Sequence, residues 1–253
     1  MTITGQGQSR PQEREREREQ EQGREQGQGQ EPGSGEGQSQ LLRGLEDDRS
    51  SVRLRAAMAV GTEPHPRFVA PLVERSAVEP EFFVRDMLTW ALTRHPVSST
   101  LPELVREVRS ERAQARSQAL HTLSKIGDRR AWPVITKALL TDPEAEVARS
   151  AWRTAVVLVP EGEEAALATV LATQLGRGEQ ETQLSLSRAL VALGDAAEPA
   201  LRAATTGTDE RVHAHALATQ RLLRDPDIGF GFAIEEAKRV VALGGPTAAQ
   251  EGR

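Results

Sequence analysis

The sequence contains no cysteine and no tyrosine, and only 3% of its 253 residues are aromatic. Without cysteine the chain forms no disulfide, offers no thiol nucleophile and builds no thiolate metal site. So few aromatic residues leave Leu, Val, Ala and Ile to build a core, a composition that suits packed helices better than a sheet sandwich. The formal net charge of −5 gives no strongly basic nucleic-acid footprint. No apolar stretch is long enough to span a bilayer.

The first 40 residues consist almost entirely of Gln, Glu, Arg, Gly and Ser, with little that is apolar beyond Met1 and Ile3. A segment this polar cannot bury enough surface to offset the entropy lost on ordering. Residues 1–40 are therefore predicted to be a disordered, low-complexity tail. No apolar region of a secretory signal follows the start, which favours a cytoplasmic location.

From Leu41 onward the sequence repeats itself with a period of about 32 residues. An apolar or small anchor is followed four residues later by a second apolar residue in six places; the anchors are Val52, Val84, Ala115, Val147, Thr182 and Val212. Most anchors also have apolar residues eight and eleven positions later. These steps share one face of a helix, so each copy is predicted to contain a helix with one apolar stripe.

A set of prolines has the same period. Pro71, Pro102, Pro133 and Pro199 precede their anchors by 13 or 14 residues, each in or at the start of another apolar segment. Proline is tolerated in the first turn of a helix or at a kink, so these residues mark a preceding helix in each pair. With turn residues between the two helices, the predicted unit is helix–turn–helix, repeated six times.

The proline in the first helix, the acidic turn and the Val-Arg that opens the second helix resemble the HEAT-repeat family, particularly its short bacterial form, which also occurs in phycobilin lyases. The resemblance covers about residues 41–226. It implies an all-α, right-handed α-solenoid of six repeats, in which each repeat packs on its neighbours. Residues 227–253 are expected to supply a C-terminal capping helix and a short tail, giving about thirteen helices, with Phe230 and Phe232 wedged beneath the cap.

Three arginines directly follow an anchor and have a polar residue six positions earlier: Arg53 with Asp47, Arg85 with Glu79, and Arg116 with Ser110. In HEAT-like repeats a similar acid and arginine form a ladder between adjacent repeats, which implies a structural role. Ser110 and Ala148 interrupt the pattern. The ladder is therefore expected to cover only the first two repeats.

Catalytic signatures are missing from the sequence, which has no HExxH, no GxSxG and no phosphate-binding GxxxxGK[ST]. His213 and His215 lie two positions apart on a predicted helix, roughly 200° around it, so they cannot share a metal ion. One of them is expected at the surface and the other packed. We therefore predict no catalytic residues, no metal and no cofactor.

The sixth position after each anchor lies almost opposite the apolar stripe. Through the six repeats this position is occupied by Met58, Trp90, His121, Arg153, Arg188 and Ala218. In HEAT-like solenoids the second helices line the concave face, which would place these residues on one ridge. Trp and Arg are favoured at interface hot spots, so Trp90, His121, Arg153 and Arg188 are the predicted partner-binding residues.

The function that the sequence favours is a non-enzymatic interaction scaffold, which binds a protein or peptide, with an acidic segment, in its concave groove. Two alternatives stay open: a nucleic-acid-binding HEAT-like protein and a bilin lyase-like subunit. Near-neutral charge argues against the first, since phosphate contacts need a clustered basic surface. The second is prompted only by the shared short repeat. The sequence identifies neither the partner nor the oligomeric state.

Overall fold

The computed structural model describes residues 34–243, and this range contains thirteen α-helices and no β-strand. The helices are α1 Ser34–Leu45, α2 Ser50–Thr62, α3 Val69–Ser76, α4 Phe82–Arg94, α5 Val97–Glu107, α6 Ala113–Ile126, α7 Lys137–Leu140, α8 Ala145–Leu158, α9 Glu164–Ala172, α10 Gln180–Ala192, α11 Glu198–Ala204, α12 Glu210–Arg224 and α13 Phe230–Ala242. For the described part of the chain, the predicted number of helices is confirmed.

The chain divides into two compact units between Gln40 and Leu41, within α1. Most of the tail predicted for residues 1–40 lies outside the described residues, and so does the end of the chain after residue 243. Helix α1 begins at Ser34, inside the last seven residues of the predicted tail. The tail and the domain boundaries therefore stay predictions.

Within the unit that begins at Leu41, the helices alternate between two layers. The second helix of each repeat packs on the second helix of the next, from α2 through α4, α6, α8 and α10 to α12. The first helices form the other layer, through contacts such as α3 with α5 and α9 with α11. The fold is an all-α solenoid, as the repeat pattern predicts.

The apolar stripe of the second helices lies in the core. In α4 and α8 every predicted stripe position is buried: Val84, Leu88, Leu92, Val147, Ala151, Ala155 and Leu158. These residues belong to one continuous apolar core that extends from Leu45 to Ala216. This burial confirms the helical register of the stripe. The same register places the sixth residue after each anchor on the opposite side of the helix.

The first helix of the fourth repeat differs from the predicted helix. A 3-10 helix over Arg129–Val134 contains Pro133, and only the four-residue helix α7 follows it. Pro102, by contrast, lies inside the continuous helix α5. Proline removes a backbone donor from either kind of helix. The proline therefore predicts where the first helix of a repeat lies, but it does not predict whether that helix is a continuous α-helix.

The C-terminal cap is α13, which packs on α12 around a second, smaller apolar cluster. Phe230 is buried in this cluster, whereas Phe232 is 63% exposed. The expectation that both would wedge beneath the cap is therefore wrong for Phe232. Both residues lie within α13 itself, two positions and roughly 200° apart, so they cannot face the same neighbour.

The predicted arginine ladder is present, with a geometry that links adjacent repeats. Arg53 donates from Nε and Nη2 to the two carboxylate oxygens of Glu79, at 2.7 Å each. Its Nη1 donates to the carbonyl oxygens of Asp47 and Asp48, both at 2.8 Å. Arg53 thus satisfies the turn of its own repeat and pairs with the acid of the next.

A second arginine–carboxylate pair of the ladder lies between repeats for which the sequence predicted none. Arg116 pairs with Asp142, at 3.2 Å from Nε and 3.0 Å from Nη2 to Oδ2, and so joins the third repeat to the fourth. The expectation that the ladder covers only the first two repeats is therefore wrong. Arg85 contacts the turn carbonyls of Glu79 and Pro80, at 2.9 and 2.6 Å.

The place of the arginine missing at Ala148 is taken by a residue of the fifth repeat. Arg177, which follows α9, donates from Nη2 to the carbonyl oxygens of Asp142 and Pro143. These carbonyls lie six and five residues before Ala148, the same offsets that Arg53, Arg85 and Arg116 use in their own turns. The turn of the fourth repeat is thus capped from its neighbour.

Candidate interaction surface

The four predicted partner-binding residues lie on four consecutive second helices. Trp90 of α4 is 40% exposed, His121 of α6 is half-buried, and Arg153 of α8 and Arg188 of α10 are exposed. In the sixth repeat the same position, Ala218, is fully buried in the cluster beneath α13. The exposed positions therefore end where the cap begins.

The indole of Trp90 is fixed by the preceding repeat. A Cβ atom at Gly61 of α2 would lie only 2.3 Å from Cζ3 of Trp90 and 2.9 Å from Cα of Ala91. Only glycine therefore allows α2 and the indole to approach this closely. Trp90 consequently presents a large apolar side chain to solvent in a position that packing already determines.

Two of the four residues, His121 and Arg153, line a groove of about 400 Å³ formed by α4, α6 and α8. We call this the α4–α8 groove. Other side chains that line it are Phe82, Arg85, Asp86, Gln118, Glu146 and Arg149. Trp90 and Arg188 do not line it, although Trp90 follows the lining residue Asp86 by four positions and hence lies on the same face of α4.

Arg153 brings to the α4–α8 groove a positive charge that forms no ion pair with the described residues. Its Nη2 lies 3.4 Å from the hydroxyl of Ser150, and within residues 34–243 no carboxylate lies at ion-pair distance from it. Arg149 on the same helix pairs with Glu146 and, at 2.8 Å, with Glu181. Although the residue as a whole is exposed, partial desolvation of the guanidinium, followed by the charge of Arg149, lowers the pKa of Arg153.

The surroundings of His121 are also predominantly positive. Burial lowers the pKa of His121, the charges of Arg153 and Lys125 lower it further, and Asp86 acts in the opposite direction. The groove therefore disfavours an additional positive charge and favours an anion. It is a suitable binding site for a negatively charged group that reaches both His121 and Arg153.

The sequence analysis did not identify the aromatic residues at the start of α4. Phe82 is 74% exposed and lines the α4–α8 groove, and Phe83 beside it is also exposed. Cζ of Arg85 lies 5.9 Å from the centroid of the Phe82 ring, within cation–π range. The available signal was the pair of adjacent aromatics just before the buried anchor Val84, because two such neighbours cannot both face the core.

A buried pair, Ser187 and His215, has the residue types of a nucleophile and a base. Oγ of Ser187 lies 2.9 Å from Nε2 of His215, and both residues are fully buried. Nδ1 accepts the N–H of Gly176 at 3.0 Å, so Nε2 carries the proton and lies 3.0 Å from the carbonyl oxygen of Gln183. With its acceptor nitrogen occupied by a backbone donor, this imidazole is a structural hydrogen-bonding group.

Because burial lowers the pKa of His215 to about 4, acid should destabilise the fold. The unfolded chain binds this proton near pH 6.5 and the folded chain only near pH 4, so stability falls as the pH falls between these values. The maximal loss is roughly 3 kcal/mol. Urea unfolding at pH 7 and pH 5 should show about 2 kcal/mol of this loss in the wild type, because pH 5 still lies above the folded-state pKa.

The comparison variant is His215→Gln, which should reduce the pH dependence, while the half-buried His213 changed to Gln should leave it intact. His121 contributes in the same pH range, so the informative quantity is the difference between wild type and His215→Gln. An unchanged pH dependence in His215→Gln would contradict the assignment.

Between residues 34 and 243, no group of three His, Asp or Glu side chains is arranged to hold a metal ion. In the same range, no helix combines the length and the apolar character needed to cross a membrane.

Residues 79–155 match the family model described as HEAT repeats. The resemblance predicted from the sequence is thus confirmed, and the matched segment includes every residue that lines the α4–α8 groove. HEAT repeats generally serve as scaffolds for protein interactions.

Among solved structures, a crystal structure of an engineered protein shares 18% identity with the chain, covering 76% of this chain and 99% of that one, with a TM-score of 0.43. The search of curated proteins gives no match.

Proposed function

We propose that this chain is a non-enzymatic scaffold that binds a protein or peptide partner with an acidic segment. The partner would lie across the second helices, over Trp90 and into the α4–α8 groove. The main observation in support of the proposal concerns Trp90. Its large aromatic side chain packs directly against Gly61 and is still 40% exposed.

The chemistry around Trp90 supports an interface. Trp and Arg supply the largest shares of binding energy at protein interfaces, and rigid side chains lose little entropy when a partner binds. Phe82 adds a second exposed aromatic surface, and Arg153 adds a charge that no carboxylate pairs with in the described part of the chain. An acidic segment with an apolar residue nearby would satisfy all three groups.

A protein partner fits the charge pattern better than a nucleic acid does. The arginines of the groove alternate with Asp86 and Glu146, whereas phosphate binding favours a surface of one sign. The chain as a whole carries a net charge of −5. These charges favour local pairing with carboxylates over contact with a continuous phosphate backbone.

The test is affinity capture from the source cell with the full chain and its Trp90→Ala variant. Loss of the indole should weaken a specific partner by about 2 kcal/mol, roughly thirtyfold, and deplete it from the captured proteins. Phe232→Ala is the matched control, since it removes an exposed aromatic from α13, outside the groove. It should leave capture unchanged.

Two results would overturn the proposal. One is a partner that both variants capture as well as the wild type does. The other is a captured fraction that nuclease treatment removes, which would support the nucleic-acid alternative. Circular dichroism of Trp90→Ala must show an intact helical fold for the comparison to apply.

A further inference from the structure

Two side chains on neighbouring helices, one cationic and one able to take up a proton, face the α4–α8 groove. His121 of α6 and Arg153 of α8 both line it, and these two helices pack directly on one another. The guanidinium of Arg153 lies 3.4 Å from the hydroxyl of Ser150, and within residues 34–243 it has no carboxylate at ion-pair distance. The groove therefore holds two hydrogen-bonding groups suited to an anion.

The remaining charges that line the groove are largely engaged by partners in the fold. Arg85 donates from Nη1 to two backbone carbonyls, and Arg149 pairs with Glu146. The charged groups that act on His121 are Asp86 of α4, Arg153 of α8 and Lys125 of its own helix. Burial of the imidazole, together with two positive charges against one negative, disfavours protonated His121.

Resting on the proposed scaffold function, we propose that a carboxylate side chain of the acidic partner binds between His121 and Arg153, and that His121 takes up a proton as it binds. Arg153 donates two parallel hydrogen bonds to a carboxylate, the geometry that a guanidinium prefers. The bound negative charge offsets the charges of Arg153 and Lys125, so the imidazolium becomes the favoured form of His121.

The site therefore links binding to pH. A group that gains a proton on binding makes the complex stronger at lower pH, and the coupling is reciprocal between proton and ligand. Glutamate side chains stay ionised above pH 6, so the peptide's own charge does not change in the range that matters. His121 is the group in the groove that titrates there.

The experiment uses fluorescently labelled hexaglutamate as the probe and hexaglutamine as its uncharged match, with the full chain at pH 6 and pH 8. Hexaglutamate should bind severalfold more tightly at pH 6 for a coupling of about one pKa unit, because the full factor of ten is reached only at pH values well below the lowered pKa of free His121. In NMR titrations the ε1 proton of His121 should titrate at a higher pH when hexaglutamate is bound.

Variants separate the two roles. His121→Gln should bind hexaglutamate at pH 6 as weakly as the wild type does at pH 8, and His213→Gln should keep the difference between the two pH values. Arg153→Gln should weaken binding at both pH values, because the guanidinium is charged at both.

The inference is overturned if hexaglutamate binds no better than hexaglutamine, or if its affinity is equal at pH 6 and pH 8. It is also overturned if His121→Gln keeps the pH dependence. None of these results tests the proposed scaffold function. That function is tested separately, by whether capture of a partner depends on Trp90.

Discussion

Replacing Glu79 by alanine should lower the free energy of unfolding by about 3–5 kcal/mol, because it leaves a buried arginine without its counter-charge. Glu79 is fully buried and accepts hydrogen bonds from Arg53 and, at 2.9 Å, from Nε of Arg75. It also accepts the backbone N–H of Glu81 at 3.0 Å, which holds the turn before α4. These bonds lower the pKa of Glu79 although burial alone would raise it.

Urea unfolding of Glu79→Ala, Glu79→Gln and Asp128→Ala measures this effect. Glu79→Gln keeps the shape of the side chain and part of its hydrogen bonding, so it should fall between the wild type and the alanine variant. Asp128 pairs with the exposed Arg130 and caps the 3-10 helix that follows, so Asp128→Ala should cost only about 1 kcal/mol. A loss in Glu79→Ala no larger than that in Asp128→Ala would mean that the ladder does not stabilise the fold.

The repeat architecture could be predicted from the sequence because its signals are local. Helical spacing identifies the buried stripe within one helix, and the recurring proline identifies the helix before it. The broken helix around Pro133 was not predictable in the same way, because proline is compatible both with a 3-10 segment and with a kinked α-helix.

The extent of the ladder was misjudged because each arginine was compared with the acid of its own repeat. In the structure Arg53 pairs with Glu79 and Arg116 with Asp142, in both cases 26 residues further along the chain. Arg177 replaces an arginine of a different repeat from outside the repeating pattern. Pairings between repeats depend on how neighbours stack, which the period alone does not specify.

The candidate surface was predictable where it depends on the geometry of a single helix, and not where it depends on packing between repeats. The sixth-position rule correctly identified the exposed side of α4, α6, α8 and α10, since it follows from helix geometry within one repeat. It failed at Ala218, because α13 covers that position in the last repeat. The contact of Trp90 with Gly61 and the groove that His121 and Arg153 share also depend on packing between repeats.

The chain contains a natural contrast to Trp90 in Trp152 of α8, which is fully buried and donates from Nε1 to the carbonyl oxygen of Leu140 at 2.8 Å. Trp152→Ala should cost about 3–5 kcal/mol, through lost apolar contacts and an unpaired carbonyl at the end of α7. Trp152→Phe keeps most of the buried area and should cost less.

Urea unfolding of Trp152→Ala and Trp90→Ala side by side separates a core residue from a surface one. Trp90→Ala should lose much less stability, because part of the indole already lies in water. Hydrogen exchange should show where the loss in Trp152→Ala begins, with the amides of Lys137–Leu140 losing protection first, since α7 is short and is held by this side chain. Equal losses in the two variants would make Trp90 a core residue and remove the anchor from the proposed interaction surface.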